Sequence, residues 1–178
     1  MVINFLDKTP NIASSVYVSE GVKIIGDVSI GSDSNIWYNS VLRGDVNDII
    51  IGARTNIQDL TMIHVATFGQ GCYIGSDVTI GHSAILHACN IQDKSYIGMQ
   101  ACILDGATVE KRAMLAAGSL LTSGKTVPSG ELWAGSPAKF MRKLTDKDYE
   151  LIAWSASHYV ELAQKHQSTR DHALASKI

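Results

Sequence analysis

Along the chain one aliphatic residue recurs every six positions, at Ile12, Val18, Ile24, Ile30, Ile36 and Leu42. After an insertion the series resumes at Ile51, Ile57 and Ile63, and after a second insertion at Ile74, Ile80 and Leu86. One unit is then a residue short, and the run continues through Ile91, Ile97, Ile103, Val109, Leu115 and Leu121. Four places after each aliphatic stands a small or β-branched residue, such as Val28, Ser34, Thr55, Val78, Ala101 or Ala113. One place after it glycine is frequent, as at Gly31, Gly52, Gly75, Gly81 and Gly98. A period of six matches neither the 3.6-residue spacing of an amphipathic helix nor the two-residue alternation of an ordinary strand. It predicts a coil with three flat sides, one unit per side, with the aliphatic pointing inward and the small residue near the corner. Stacked coils of this kind pair their backbones as parallel strands and share one apolar interior. Eighteen units make about six coils.

This arrangement resembles the hexapeptide-repeat family of left-handed parallel β-helices over roughly residues 10–140. The left hand is what the resemblance implies, because general crossover rules favour the right. The expected fold class is mainly β, a left-handed parallel β-helix of about six coils with a C-terminal α-helix. Residues 130–139 resemble the loop that closes such β-helices. Thr145, Asp146, Lys147 and Asp148 read as a capping box. Behind them Tyr149, Ile152, Ala156, Tyr159 and Ala163 fall at helical spacing and form an apolar stripe. The division expected is a β-helix domain over 1–144 and an amphipathic helix and tail over 145–178, with the polar residues after about 167 frayed.

Composition narrows the functional classes. Of 178 residues, 46% are hydrophobic and 18% charged, which suits a folded domain and not a disordered one. The formal charge of -2 and the scattered Lys and Arg give no electrostatic case for nucleic acid. No stretch approaches the length of a membrane span. The first eight residues are interrupted by charge before any apolar run is long enough for a signal peptide. Cys72, Cys89 and Cys102 are an odd set without metal-type CxxC spacing, expected as reduced thiols of a cytoplasmic protein. Cys89, in the shortened unit, is expected to turn inward as a small apolar residue.

Six histidines remain to be placed. His158, His166 and His172 fall in the terminal helix and tail, where they are expected to face solvent. His64 follows core Ile63 and His87 follows core Leu86, one full coil later, so the two share a column at the inter-strand spacing of about 4.8 Å. Two imidazoles at that separation can share one ion. His82 lies on the preceding side, five extended residues or about 16 Å from His87. It reaches the same ion only from an adjacent subunit, so a shared site demands an oligomer, and three prisms about a threefold axis would create three equivalent sites. Arg43 stands in the His64 column one coil earlier, and Asp59 in the His82 column one coil earlier. Both insertions, 43–50 and 65–73, emerge from the same corner.

These residues resemble the motifs of γ-class carbonic anhydrases: a single histidine (His64) ahead of a His-x-x-x-x-His pair (His82 and His87), an Arg-x-Asp segment (Arg43, Asp45) and an Asn-x-Gln-Asp segment (Asn56, Gln58, Asp59). The resemblance implies a homotrimer carrying zinc on His64, His82 and His87 at subunit interfaces, with carbon dioxide and bicarbonate as substrate and product. Iron and cobalt are also accepted by His-rich sites. It implies that Gln58 orients or polarises the metal water and the substrate, that Asp59 holds a hydrogen bond near the site, and that Arg43 and Asp45 pair across the subunit boundary. Three neutral imidazoles leave a fourth zinc position open, and zinc lowers the pKa of a water there to about 7, giving a hydroxide able to attack carbon dioxide. In one respect the chain departs from the family. Val46 follows Asp45 and residues 65–71 hold no carboxylate, where the archetypal enzyme carries proton-ferrying glutamates, which leaves Asp48 as the candidate. Two other readings stay open, an acyl-group enzyme (coenzyme A thioesterase or hexapeptide acyltransferase) and a non-catalytic metal-binding trimer. Metal dependence separates them.

Overall fold

In a closed three-sided coil every sixth side chain meets its counterparts from the coils above and below, and burial follows that period. Ile24, Ile36, Leu42, Ile57, Ile63, Ile80, Leu86, Ile97 and Ile103 are fully buried and belong to one continuous core. The computed structural model, which describes residues 1–175, is a parallel β-helix with one long α-helix against its side. The first face carries Asn11–Ile12, Cys72–Ile74, Asn90–Ile91, Thr108–Val109 and Thr126–Val127. The second carries Tyr17–Val18, Asn35–Ile36, Asn56–Ile57, Thr79–Ile80, Tyr96–Ile97 and Met114–Leu115. The third carries Met62–His64, Ile85–His87, Cys102–Ile103 and Leu120–Leu121. Two longer strands, Lys23–Ile30 and Val41–Ile51, run without a break from the third face round the corner into the first.

The coil count exceeds the eighteen units. Seven strands stack in parallel on the second face, ending with Glu131–Gly135, on which Ala138–Lys143 folds back antiparallel. The β-helix therefore makes about seven turns. Val127 and Trp133 extend the series at its end, and Val2–Ile3 pairs with Ile24 and Ile25 at its start.

At the corners the small residues do more than fit. Ser34 Oγ donates to the Gly52 carbonyl (2.7 Å), Ser40 Oγ to that of Gln58 (2.8 Å) and Thr55 Oγ1 to that of Gly75 (2.7 Å). Each hydroxyl serves a carbonyl of the next coil at a corner, where the strand ladder breaks. The first insertion is part of a strand and not a free loop. Asn47 Nδ2 ties it to the second insertion by donating to the carbonyls of Ala66 (3.3 Å) and Gly69 (3.2 Å).

Helix α1, Asp146–Ala175, starts at the expected capping box. The Thr145 N–H donates to Asp148 Oδ2 (2.7 Å), and the Asp148 N–H donates to Thr145 Oγ1 (3.4 Å). Ile152, Ala156 and Ala163 turn inward onto the second face, and the hydroxyls of Ser155 and Thr79 bond at 2.9 Å. Two expectations about this segment change. The helix continues past residue 167, where Arg170 Nη1 donates to the Val18 carbonyl (3.1 Å) and its guanidinium lies over the Tyr17 ring; residues 176–178 of the expected tail lie outside the described residues. Of the three terminal histidines only His172 is fully exposed. His166 sits edge-on to Trp37 (5.0 Å) and bonds the Tyr38 hydroxyl (3.1 Å), and His158 stacks on Trp154 (4.6 Å). An amphipathic ring covers aromatic surface while its polar nitrogens stay served, so these two pack. Among the described residues no helix is long and apolar enough to cross a membrane.

Candidate metal centre

Alternation along the third face turns Leu42, Ile63 and Leu86 inward and the residues after them outward. Strand register then stacks Arg43, His64 and His87 in one column. His64 Nδ1 and His87 Nε2 lie 3.2 Å apart. Each ring has a carboxylate on its other nitrogen. His64 Nε2 is 3.1 Å from Asp45 Oδ1, and His87 Nδ1 is 2.6 Å from Asp105 Oδ1.

Those carboxylates decide the chemistry. A neutral imidazole has one N–H and one lone pair, and an ionised carboxylate can only accept. Asp45 takes the proton on His64 Nε2, and Asp105 takes the one on His87 Nδ1. With both rings neutral, the two nitrogens that face each other are both lone pairs, an arrangement that repels unless a cation sits between them. Two nitrogens on one tetrahedral zinc with bonds of 2.0–2.1 Å stand about 3.3 Å apart, so the observed gap has the size of an ion's coordination angle. Burial pushes the Asp45 carboxyl up, but hydrogen bonds from Arg43 and His64 outweigh it and hold it below the ordinary carboxylate value. Asp45 is the anion this argument requires.

His82 occupies the opposite edge of the third face, at the corner leading into it from the second. Its Nδ1 lies 2.8 Å from Asp59 Oδ2, and a neutral ring with its proton on Nδ1 keeps a lone pair on Nε2. Among the described residues no three His, Cys, Asp or Glu of one chain are placed to hold an ion together. Gln58, beside Asp59, is buried and donates through Nε2 to Asn56 Oδ1 (3.0 Å). Asn56 in turn donates to Thr79 Oγ1 (2.9 Å), so the Gln58 amide is anchored through a chain of hydrogen bonds that ends on α1 at Ser155.

The comparisons with known proteins follow this geometry. No family model matches the chain. Over 172 residues it is 50% identical to gamma carbonic anhydrase 2 of Arabidopsis thaliana, a mitochondrial protein, covering 94% of this chain and 62% of the plant protein's own length. It is 40% identical to a probable carbonic anhydrase of Methanocaldococcus jannaschii, with 88% of this chain and 98% of that protein aligned. This chain belongs to the γ-class carbonic anhydrase family. A solved structure of a hexapeptide transferase family protein from Anaplasma phagocytophilum superposes with a TM-score of 0.89 at 45% identity, covering 92% of this chain and 96% of the other.

Within this γ-class chain several sequence expectations take definite positions. Arg43 and Asp45 pair within one chain, Nη1 to Oδ2 at 2.5 Å. They lie two residues apart on one strand, so both side chains leave the same face. Asp48 accepts from the Tyr73 hydroxyl at 3.1 Å. Cys89 is fully buried with its sulfur 3.8 Å from that of Cys72; that contact and burial push its thiol pKa up, which keeps it from acting as a ligand.

Two features were missed from sequence. Asp105 stands one coil beyond His87, in the corner after Ile103 and one residue past the column position, Leu104. The second is the outward column Val41, Met62, Ile85, Cys102 and Leu120, in register across five strands and apolar throughout. Its signal was the residue just before each third-face core position.

Proposed function

We propose that the chain is a metal-dependent carbonic anhydrase, interconverting carbon dioxide and bicarbonate, with one ion held by His64 and His87 of one subunit and His82 of the next in a homotrimer. The observation that carries this reading is the pair of lone-pair nitrogens of His64 and His87 facing each other at 3.2 Å, their tautomers set by Asp45 and Asp105. Zinc is the ion we assign, since three imidazoles with an open fourth position make a catalytic zinc site. A divalent ion there supplies a Lewis acid that makes a water acidic near neutral pH.

The chain's own residues do the rest. Asp45, Asp59 and Asp105 hold the ring tautomers. Gln58, fixed by Asn56, supplies an amide at the corner that carries His82, able to orient a small polar substrate. Arg43 neutralises Asp45 and keeps it ionised beside His64.

Support for the trimer comes from the third face. Its outward column is apolar, with Ile85 49% exposed, and a contiguous apolar surface on a β-helix side marks an interface. The face is bounded by His64 and His87 on one edge and His82 on the other. Three copies that turn this face toward a common axis bring unlike edges together pairwise, which completes three sites. For location, the free thiols, two of the three buried, suit the cytoplasm, whereas the plant relative's name places that protein in mitochondria.

The test is metal analysis and stopped-flow carbon dioxide hydration on the same purified sample. One ion per chain and hydration above buffer, both lost on chelation and in His64→Ala, are expected. Fully metallated protein without hydration above background ends the reading. An acyl-transfer reading is favoured by the printed name of the Anaplasma structure, a hexapeptide transferase family protein. Acyl transfer that survives both chelation and His64→Ala would establish it.

A further inference from the structure

Two of the three candidate ligands have a backing carboxylate that the sequence motifs already single out, Asp45 for His64 and Asp59 for His82. The third has one that no motif includes. We infer that Asp105 is a positioning residue of the metal centre, which fixes the tautomer and orientation of His87 so that Nε2 presents its lone pair to the ion. The inference rests on the metal reading above and extends it to a residue outside the family motifs.

Asp105 occurs where the corner between the third and first faces first closes at the regular six-residue spacing after the insertions. Three and two coils earlier that corner carries residues 43–50 and 65–73, and one coil earlier the shortened unit 87–90; here the chain turns through Gly106 at φ +70°. The turn is pinned on both sides. Gly106 N–H donates to the Ala88 carbonyl of the coil below (2.8 Å), Gly124 N–H donates to the Asp105 carbonyl from the coil above (3.0 Å), and Ala107 N–H closes onto Leu104 (3.0 Å). The carboxylate therefore hangs from a fixed rung, one coil from His87, and meets Nδ1 at 2.6 Å.

A structural ion pair is a poor account of this contact. The Asp105 side chain is 52% exposed and that of His87 34%, and exposed pairs contribute little to stability. Its effect falls on the ring. With Asp105 removed, His87 is free to carry its proton on Nε2, facing His64, and the ring is free to rotate. The first replaces the ligand lone pair with an N–H, and the second turns Nε2 away from the ion. Second-sphere partners of metal-bound histidines typically control 10–100-fold in metal affinity.

The experiment measures zinc affinity of the full-length trimer by competition with a chelator, for the wild type, Asp105→Ala and the isosteric Asp105→Asn. Asp105→Ala is expected to weaken zinc binding roughly 10–100-fold. Asp105→Asn, which keeps an acceptor oxygen but loses the charge, should fall between. The cobalt-substituted proteins at saturating metal should differ in their visible absorption bands, a change that loss of a purely structural contact does not produce. A zinc affinity and cobalt spectrum of Asp105→Ala indistinguishable from the wild type overturn the inference and leave the metal site standing. So does a variant whose metal-free trimer melts lower while its affinity is unchanged. A wild-type protein that binds no zinc removes the metal reading itself, and the role of Asp105 with it.

Discussion

At the scale of single residues, the decisive property is where one proton sits. Three imidazoles each place one nitrogen on an aspartate, and in the proposed site that contact leaves the other nitrogen to act as the ligand. The corner that delivers Asp45 has no spare room. A Cβ on Gly44 would lie 2.3 Å from the Asp27 carbonyl oxygen, so the bulged strand can pass only with glycine there. Gly44→Ala is expected to lower stability by about 1–3 kcal/mol through overpacking, and to weaken metal retention by shifting Asp45 away from His64. Thermal melting paired with metal analysis reads both, and an unchanged metal content at lowered stability would separate Gly44 from the site. Periodicity identified His64 and His87 as column neighbours because strand alternation is local. It gave no hint of Asp105 as a partner, because the residue in register with His87 one coil on is Leu104, and Asp105 stands one place further, in the turn.

Single elements bring their own constraints. The rung Ile85–His87 carries an inward Leu86 and an outward His87 on adjacent positions, so core packing sets the height of the ligand. Leu86→Ala should cost about 2–5 kcal/mol, visible in denaturant unfolding. Helix α1 depends on its first turn. Two hydrogen bonds from Arg142 (2.6 and 3.0 Å), with the Thr145 N–H, hold the Asp148 carboxyl far below the usual carboxylate range. A carboxyl depressed in the folded state stabilises fully above its unfolded pKa, about 4, and that contribution drains away as pH falls toward the depressed folded value. Asp148→Ala should therefore cost about 1 kcal/mol at neutral pH, and its melting difference from the wild type should shrink steadily below pH 4. A difference constant from pH 7 to pH 3 would mean that the charge of Asp148 does not matter. The capping box and the apolar stripe of α1 were legible because both are i to i+4 patterns. The packing of His166 on Trp37 was not, since 129 positions separate them and only the docked helix brings them together.

For the whole molecule, the proposed site is divided, with one chain contributing an incomplete half at each of the two edges of an apolar face. Ile85→Glu puts a charge at the middle of that face and is expected to yield monomers that have lost their metal, measured by light scattering and elemental analysis. Monomers that retain one ion per chain would contradict the shared site. Mixing supplies a stricter test. His64→Ala and His82→Ala subunits, each inactive alone, should regain metal and hydration when unfolded together and refolded, because each mixed trimer pairs an intact His64 edge with an intact His82 edge. Recovery absent from trimers shown to be mixed would place all three ligands on one chain.

The sequence by itself determined the coil, its apolar interior, the position of each corner and the vertical pairing of His64 with His87. All of these follow from a period that each residue obeys through its own neighbours. The left hand of the coil and the roles of Gln58 and Asp59 entered through likeness to a family, not through spacing. Tertiary structure decided the rest: the pairing of Arg43 with Asp45 in one chain, the helix seated on the second face, and Asp105 at 2.6 Å from His87. The physical reason is the same in each case. These contacts join residues across coils at corners or across the docked helix, where insertions, left-handed turns and side-chain rotamers set distance, and no local repeat encodes those.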